Sequence, residues 1–279
     1  MTTSPEPGAA PAAPAPVPGM PVWLELGSPD PAKAAAFYGE LLGWEFQDMG
    51  AELGHYTMCF LNGAPVAAYM TTDPAVNPYA EGAAPGWTVY LQTLDIDATV
   101  SRARELGGSV AFEPMAAGDM GTSATIVDPT GASVGLWQPG AFPGRVIDGT
   151  VGTPCWYELV TGDVDAVGPF YAGLFDAQVI AQPGPDGFGY ATLHRAFEGD
   201  EWDLAGLWEA PDVLADGEGG RWTAYLAVAD VDEAVATVER LGGTVEAAPQ
   251  DSAYGRVAAI RDDQGAPARL LEPGMPPEA

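Results

Sequence analysis

The first regular pattern in the chain is a strand followed by an amphipathic helix. Residues 21–26 alternate between two faces as a strand does. Apolar residues then recur at the spacing i, i+3, i+4, i+7, which is typical of one helix face: Ala34, Phe37, Tyr38 and Leu41. Asp30 stands where it can cap this helix, and Pro31 suits its first turn.

Strand-like stretches follow this helix, and the same order of elements then returns. The pattern predicts strands near 44–48, 55–61 and 64–71, then a strand that reads WTVYLQTL and a helix from Ile96 to Leu106 that Gly107-Gly108 ends. Three further strands are predicted near 109–114, 121–127 and 132–138. Each half has the order βαβββ, which predicts an α+β fold. In such a fold a helix covers one face of a curved sheet and leaves the other face to line a cup.

The chain repeats itself at a nearly constant offset. Segments that start at residues 21, 86 and 124 align with segments that start at 154, 221 and 258. The repeat predicts two homologous domains, 19–141 and 152–275, joined by the short linker AFPGRVIDGTVG. Residues 1–18 are rich in Pro and Ala and predict a disordered tail.

The charge balance narrows the range of partners. The chain has 10 Lys and Arg against 39 Asp and Glu, a formal net charge of -29. Such a surface repels nucleic acid and anionic membranes, and it attracts small cations and cationic organic molecules. No apolar run approaches the length of a membrane span and the N-terminus does not resemble a secretory signal, so the sequence predicts a cytoplasmic protein.

The cysteines, the histidines and the one G-x-S-x-G match do not indicate a catalytic or metal site. Cys59 and Cys155 form neither a disulfide framework nor a zinc pattern. His55 and His194 do not occupy equivalent places in the repeat, so we expect them to be ordinary strand or rim residues. GASVG matches the G-x-S-x-G pattern, but Ser133 lies in a terminal strand without a following helix, so no nucleophilic elbow is expected.

Several short motifs recur in one order: FYxxLLGW at 37–44, FYxxLF at 170–175, the helix ends RELGG and ERLGG, and the DPTG turn at 128–131. Together they resemble the vicinal oxygen chelate superfamily, which includes glyoxalase I, extradiol dioxygenases, fosfomycin-resistance enzymes and bleomycin-binding proteins. The tandem arrangement, with WxE in each opening strand, resembles actinobacterial members often labelled hydroxylase. The resemblance implies two glyoxalase-like domains, each of two βαβββ modules that form a curved-sheet cup. The superfamily contains both enzymes and pure binders, so the fold alone does not decide the function.

Metalloenzymes of this superfamily use four ligand positions in each cup. Carried over by the motifs, the positions fall on Trp23, Ala67-Ala68, Thr88 and Gly135 in domain one, and on Trp156, Ala205-Gly206, Thr223 and Arg269 in domain two. None of these residues supplies the imidazole nitrogen or carboxylate oxygen that a divalent cation requires, and the arginine would repel one. We therefore expect no metal and no other cofactor.

Strand alternation predicts which side chains face each cup. The candidate ligand-binding residues are Trp23, Glu25, Thr88, Tyr90 and Trp137 in domain one, and Trp156, Glu158, Thr223, Tyr225 and Arg269 in domain two. An aromatic wall with one inward carboxylate suits a flat, cationic organic molecule. Alternatively, the aromatic residues fill a collapsed core. Trp87 and Trp222 lie one residue off this face and are expected to pack under the helices.

Three hypotheses follow. The first is a non-catalytic binder of an aromatic, cationic natural product, such as an anthracycline, in self-protection or biosynthesis; it could also hold product away from a pathway oxygenase. The second is a metal-independent enzyme, a lyase, isomerase or hydroxylase-associated protein, in which Glu25 or Glu158 is a general acid or base. The third is a metal-dependent lyase or dioxygenase with unusual ligands such as Glu25 and His55. The number of working cups, and whether the protein is a monomer or a homodimer, stay open.

Overall fold

The computed structural model describes residues 16–77, 86–145, 149–183, 189–214 and 217–274. Within domain one, the order βαβββ occurs twice, as predicted. The first module contains β1 Pro21–Ser28, α1 Pro31–Leu42, β2 Glu45–Asp48, β3 Thr57–Leu61 and β4 Ala64–Thr71. The second contains β5 Gly86–Gln92, α2 Ile96–Glu105, β6 Ser109–Ala116, β7 Gly121–Val127 and β8 Ser133–Pro139.

Domain two repeats this arrangement. Its first module contains β9 Pro154–Thr161, α3 Val164–Phe175, β10 Gln178–Ala181, β11 Gly189–Phe197 and β12 Asp200–Glu209. Its second contains β13 Gly220–Ala227, α4 Val231–Arg240, β14 Thr244–Ser252, β15 Gly255–Arg261 and β16 Pro267–Pro273. The α+β architecture of two tandem glyoxalase-like domains is therefore confirmed.

Each domain forms one eight-stranded sheet in which the two modules meet at the centre. The strand orders are β2-β3-β4-β1-β5-β8-β7-β6 and β10-β11-β12-β9-β13-β16-β15-β14. The opening strands of the two modules pair antiparallel, and each pairs in parallel with the last strand of its own module. Four strands, one pair from each module, thus lie side by side at the middle of each sheet.

All four α-helices of the described chain have an aspartate as their N-cap. In each case the side chain accepts a hydrogen bond from the backbone N–H three residues later, which satisfies a free donor of the first turn: Asp30, Asp95, Asp163 and Asp230. The predicted cap at Asp30 is confirmed. Gly43 ends α1 at φ 74, in the left-handed region that favours glycine.

The two domains are joined by hydrogen bonds between recurring motifs. The Tyr38 hydroxyl of the first FY pair donates to Asp262 Oδ2 in domain two at 3.0 Å, and the indole of Trp87 donates to the same hydroxyl at 3.1 Å. Burial, and next the nearby Asp262 carboxylate, raise the pKa of Tyr38 well above its ordinary value, so its hydroxyl remains a donor.

The same arrangement recurs in the opposite direction. Tyr171 of the second FY pair donates to Asp128 Oδ2 of the DPTG turn at 3.0 Å, and Trp222 donates to the Tyr171 hydroxyl at 2.9 Å. Trp87 and Trp222 thus pack under the helices as predicted, and both also take part in an inter-domain network.

The glycine pairs that end α2 and α4 are part of this interface. A Cβ at Gly108 would lie 2.8 Å from the Phe170 ring, and one at Gly243 would lie 3.2 Å from the Phe37 ring. The second glycine of each pair therefore allows a phenylalanine of the other domain to approach closely.

The packed chain begins before β1. Val17 is only 8% exposed, and its backbone N–H donates to Gln92 Oε1 at 2.7 Å. Residues 17 and 18 were assigned to the tail, yet Val17 lies in the core. Among the helices of the described residues, none is long and apolar enough to cross a membrane.

Candidate functional site

In domain one the candidate residues form two adjacent rows across the central strands. Backbone register places them side by side in the orders Ala68–Glu25–Thr88 and Trp23–Tyr90–Gly135. Trp137 lies two residues beyond Gly135 on β8 and therefore shares its face. The residues selected by alternation are thus neighbours on one face of the sheet, which we call cup one.

The equivalent rows of domain two form cup two. Their orders are Gly206–Glu158–Thr223 and Trp156–Tyr225–Arg269. Glu158 is 3% exposed and Arg269 is 9% exposed, whereas Glu25 in cup one is only partly buried. The two cups therefore share a layout but differ in how far solvent reaches the carboxylate.

A chain of hydrogen bonds holds the carboxylate of cup one. Trp23 Nε1 donates to the Tyr56 hydroxyl at 3.0 Å, and the Tyr90 hydroxyl donates to Glu25 Oε1 at 3.2 Å. The Tyr56 hydroxyl is also hydrogen-bonded to Glu25. The carboxylate is thus not left unpaired, which removes part of the cost of burying it.

Cup two has the same chain. Trp156 Nε1 donates to the Tyr190 hydroxyl at 3.1 Å, and the Tyr225 hydroxyl donates to Glu158 at 3.1 and 3.2 Å from the two carboxylate oxygens. The Tyr190 hydroxyl also hydrogen-bonds Glu158. A tryptophan, two tyrosines and a glutamate therefore form one repeated unit.

Sequence reasoning missed Tyr56 and Tyr190. They are separated by 134 residues, which is within the range of offsets shown by the aligned blocks, so the repeat itself is the signal that could have found them. Their segments, HYTMCF and GYATLH, otherwise share little. Tyr56 immediately precedes β3 and Tyr190 is the second residue of β11, and alternation is least informative at the start of a strand.

Burial raises the pKa of both glutamates. For Glu25 the hydrogen bonds from Tyr56 and Tyr90 oppose that rise without cancelling it. For Glu158 the charge of Arg269 opposes it first, followed by the hydrogen bonds from Tyr225 and Tyr190. Both carboxyl groups therefore hold a proton more readily than a glutamate in water.

An arginine distinguishes cup two electrostatically. The Arg269 guanidinium lies 4.5 Å above the centre of the Trp208 ring and 5.5 Å from that of Tyr225, and its Nε is 3.9 Å from Glu158 Oε1. Cation–π contacts on two rings and a nearby carboxylate hold this charge in place. Trp208 was not among the predicted residues, because the last strand of the first module was the least securely aligned.

In cup one the start of the linker supports the aromatic wall. Phe142 contacts Trp23 edge-to-face at 4.8 Å between ring centres and Trp137 at 6.2 Å. Trp137 Nε1 donates to the carbonyl of Phe142 at 3.0 Å. Both tryptophans therefore lie in cup one, and Phe142 fixes their orientation.

The residues at the expected ligand positions do not fit a divalent metal. They are the tryptophan, alanine, threonine and glycine of cup one, and the tryptophan, glycine, threonine and arginine of cup two. No group of three or more His, Cys, Asp or Glu in the described part of the chain is placed to hold one.

Both histidines are paired with aspartates that are not among the candidate site residues. His55 is exposed and paired with Asp48 at 2.7 Å, and His194 is paired with Asp203 at 3.0 Å. The combination of Glu25 with His55 gains no third ligand within the described residues. Ser133 is exposed at the start of β8, and a loop rather than a helix follows that strand.

The sequences of the two domains match one and the same protein family. The profile of the Glyoxalase/Bleomycin resistance protein/Dioxygenase superfamily matches residues 21–136 and again 154–269. The chain belongs to this superfamily. The resemblance inferred from the motifs is therefore confirmed in both domains.

Relatives extend over nearly the whole chain. The anthracycline biosynthesis protein DnrV of Streptomyces peucetius is 35% identical over 266 residues, which cover 91% of this chain and 94% of that protein. The putative glyoxylase CFP32 of Mycobacterium tuberculosis is 34% identical over 261 residues, which cover 91% of this chain and 95% of that protein. The similarity thus extends over nearly the whole length of these relatives as well as of this chain.

Solved structures support the fold alone. The 2,3-dioxygenase LapB of Pseudomonas sp. KL28 superposes with a TM-score of 0.62 at 13% identity, covering 95% of this chain and 96% of that one. The Mn(II)-bound glyoxalase of Novosphingobium aromaticivorans gives 0.59 at 13% identity, covering 92% and 82%. Both belong to the architecture of paired curved-sheet domains seen here.

Proposed function

We propose that this protein is a metal-free small-molecule-binding protein of the glyoxalase/bleomycin-resistance type, and that cup one binds an aromatic, cationic natural product. The observation that supports the proposal is a difference between the two cups. Cup two contains its own cation beside the glutamate, and cup one has the same glutamate without it.

The guanidinium of Arg269 marks where a cation fits in this architecture. It stacks on Trp208 and approaches Glu158. In cup one the corresponding strand positions hold Gly135 and Met70. Among the described residues no Lys or Arg is paired with Glu25, so an amine brought by a ligand would meet a carboxylate that lacks a cationic partner.

Exposure favours the same cup. Glu25, Thr88 and Tyr90 are each partly exposed, so a bound molecule can reach them. Tyr90 offers a partly exposed phenol ring on which a planar ligand can stack and which attracts an ammonium group. Trp23 and Trp137 are only 6% and 9% exposed, so they would support a ligand mainly through their exposed edges. The net charge of -29 adds a long-range attraction for cations, which increases their rate of association.

The relatives suggest a class of ligand. Two of them are named anthracycline biosynthesis proteins. An anthracycline combines a planar polycyclic ring system with an amino sugar, which matches an aromatic wall beside a carboxylate. Sequestration of such a product would suit either self-protection or relief of a pathway oxygenase from product inhibition.

The decisive experiment compares an anthracycline that bears its amino sugar with its neutral aglycone. Binding is followed by calorimetry and by quenching of tryptophan fluorescence. Glu25→Gln keeps the shape of the side chain and removes its charge, so it should weaken the amine-bearing probe about tenfold, or about 1.4 kcal/mol, and the aglycone by less than about threefold. Glu158→Gln is the matched control and should leave the affinity for the amine probe within about threefold of wild type.

The pH dependence has a defined sign. Because burial raises the pKa of Glu25, the carboxylate that attracts the amine is lost earlier on acidification than an exposed glutamate would be. Affinity for the amine probe should therefore fall as the pH is lowered through that raised pKa, and affinity for the aglycone should not. Equal losses for both probes in Glu25→Gln would contradict the charge-pair role.

A second candidate is a metal-independent enzyme that uses Glu25 as a general acid or base. The raised pKa, partial exposure and hydrogen bonds to two tyrosine hydroxyls are the features that favour it. Turnover of a bound probe by wild type, lost in Glu25→Gln and retained in Glu158→Gln, would replace the binding proposal with this one.

A further inference from the structure

Cup two has hydrogen-bond donors that the protein itself leaves unused. Arg269 is 9% exposed, and its guanidinium carbon lies 4.5 Å from the centre of the Trp208 ring, a contact that uses none of its N–H groups. Its carboxylate partner in the described structure, Glu158 Oε1, is 3.9 Å from Nε, beyond hydrogen-bond distance. The guanidinium is thus positioned by stacking, with N–H donors left for an acceptor.

A second donor lies on the same face. Thr223 is 4% exposed, and its Oγ1 has no hydrogen-bond partner within the described chain. It stands directly beside Glu158 in the pairing of β9 with β13, and therefore faces cup two. A buried hydroxyl without a partner is costly, and binding sites are where such groups are commonly satisfied by a ligand.

We propose that cup two is an anion site, which binds a planar aromatic carboxylate with its oxygens on the Arg269 guanidinium and the Thr223 hydroxyl. The rings of Trp208 and Tyr225 lie beside the guanidinium and would stack on the ligand's ring system. This site is separate from the amine site proposed for cup one, so the two cups would have opposite charge preference.

Glu158 should oppose the binding of an anion in cup two, so its removal should increase the affinity for a carboxylate ligand. Glu158 is the internal anion that faces Arg269, and a ligand carboxylate would have to share the guanidinium with it. Replacing Glu158 with glutamine removes that repulsion and retains an acceptor for the Tyr225 hydroxyl. The substitution should therefore strengthen anion binding, which a merely structural role for Arg269 does not predict.

The test uses anthraquinone-2-carboxylate and its neutral carboxamide as matched probes, with binding measured by calorimetry on the full chain. Arg269→Met preserves the aliphatic packing on Trp208 and removes the charge. It should weaken the carboxylate at least about tenfold and the carboxamide by less than about threefold. Thr223→Val should weaken the carboxylate about threefold to tenfold, and Glu158→Gln should tighten it by a similar factor.

Arg240→Met serves as the control, because it removes an exposed arginine that pairs with Glu40 outside both cups, and it should leave binding of the carboxylate probe unchanged. The inference is overturned if wild type does not bind the carboxylate, if Arg269→Met weakens both probes equally, or if Glu158→Gln weakens the carboxylate. Should Arg269→Met lose its far-UV circular dichroism, the opposite signs expected for Glu158→Gln and Thr223→Val still decide the matter. Failure of the amine probe in cup one would leave these outcomes untouched, since they involve different residues and a different ligand charge.

Discussion

The inter-domain tyrosines lead to an asymmetric prediction for stability. Tyr171 is fully buried, accepts a hydrogen bond from Trp222 and donates one to Asp128. Tyr171→Phe deletes only the hydroxyl, so it leaves a buried indole N–H and a buried carboxylate oxygen each without that partner. At about 1–2 kcal/mol for each group, the free energy of unfolding should fall by about 2–4 kcal/mol.

Tyr38→Phe, the equivalent change in the network of Tyr38, Trp87 and Asp262, should lower the free energy of unfolding by less. Tyr38→Phe also orphans one carboxylate oxygen, on Asp262, which is 3% exposed. The indole partner, Trp87, is however partly exposed, whereas Trp222 is only 4% exposed, so the freed N–H of Trp87 can donate to water. We expect a loss of about 1–2 kcal/mol for this variant.

Urea unfolding followed by far-UV circular dichroism measures both effects, with Tyr254→Phe as the control. Tyr254 is 69% exposed, so removal of its hydroxyl should leave the midpoint unchanged. The denaturant slope should stay constant, so that the midpoint alone reports the change in stability. A loss for Tyr171→Phe that is no larger than for Tyr38→Phe would refute the argument that solvent access to the indole sets the difference.

Two further predictions concern metal content and the N-terminus. The purified protein should contain no stoichiometric Zn, Ni, Fe or Mn, because the ligand positions lack His and carboxylate side chains; about one tightly held ion per chain in elemental analysis would contradict this. Deletion of residues 1–15 should leave thermal stability unchanged. Deletion of 1–18 removes the buried Val17 with its hydrogen bond to Gln92 and should cost about 2–3 kcal/mol, and equal melting temperatures for the two truncations would contradict that estimate.

The order of helices and strands in each module could be predicted from the sequence, because the signals for these elements are local. Helix periodicity, aspartate caps and glycine stops depend on residues within a few positions of one another, and duplication repeats each signal. The rows of candidate residues could also be predicted, since strand alternation sets the face and the register of paired central strands sets the neighbours. Trp23, Glu25 and Tyr90 are adjacent for this reason.

Relations between distant segments could not be predicted in this way. The FY pairs and the DPTG turn were useful as family motifs, but nothing local indicates that Tyr171 of one domain would hydrogen-bond Asp128 of the other. The same limit applies to Tyr56, which hydrogen-bonds Trp23 across 33 residues. For the same reason the sequence did not show that tyrosine hydroxyls hydrogen-bond both inward glutamates.

If the two cups bind different ligands, as proposed, the difference comes from positions that the duplication does not share. The tryptophan, the two tyrosines and the glutamate are common to both cups and are bonded to one another. Gly135 and Arg269 are where the cups differ most in charge and size, and packing explains why the difference is fixed. A Cβ at Gly135 would overlap the ring of Tyr90, so an arginine cannot enter cup one unless that tyrosine leaves Glu25. In cup two the centre of the Tyr225 ring instead lies 5.5 Å from the guanidinium, and the Tyr225 hydroxyl still donates a hydrogen bond to Glu158. The position of one tyrosine ring thus determines whether a cup can hold an internal cation beside its carboxylate, and the amine site proposed for cup one depends on that difference.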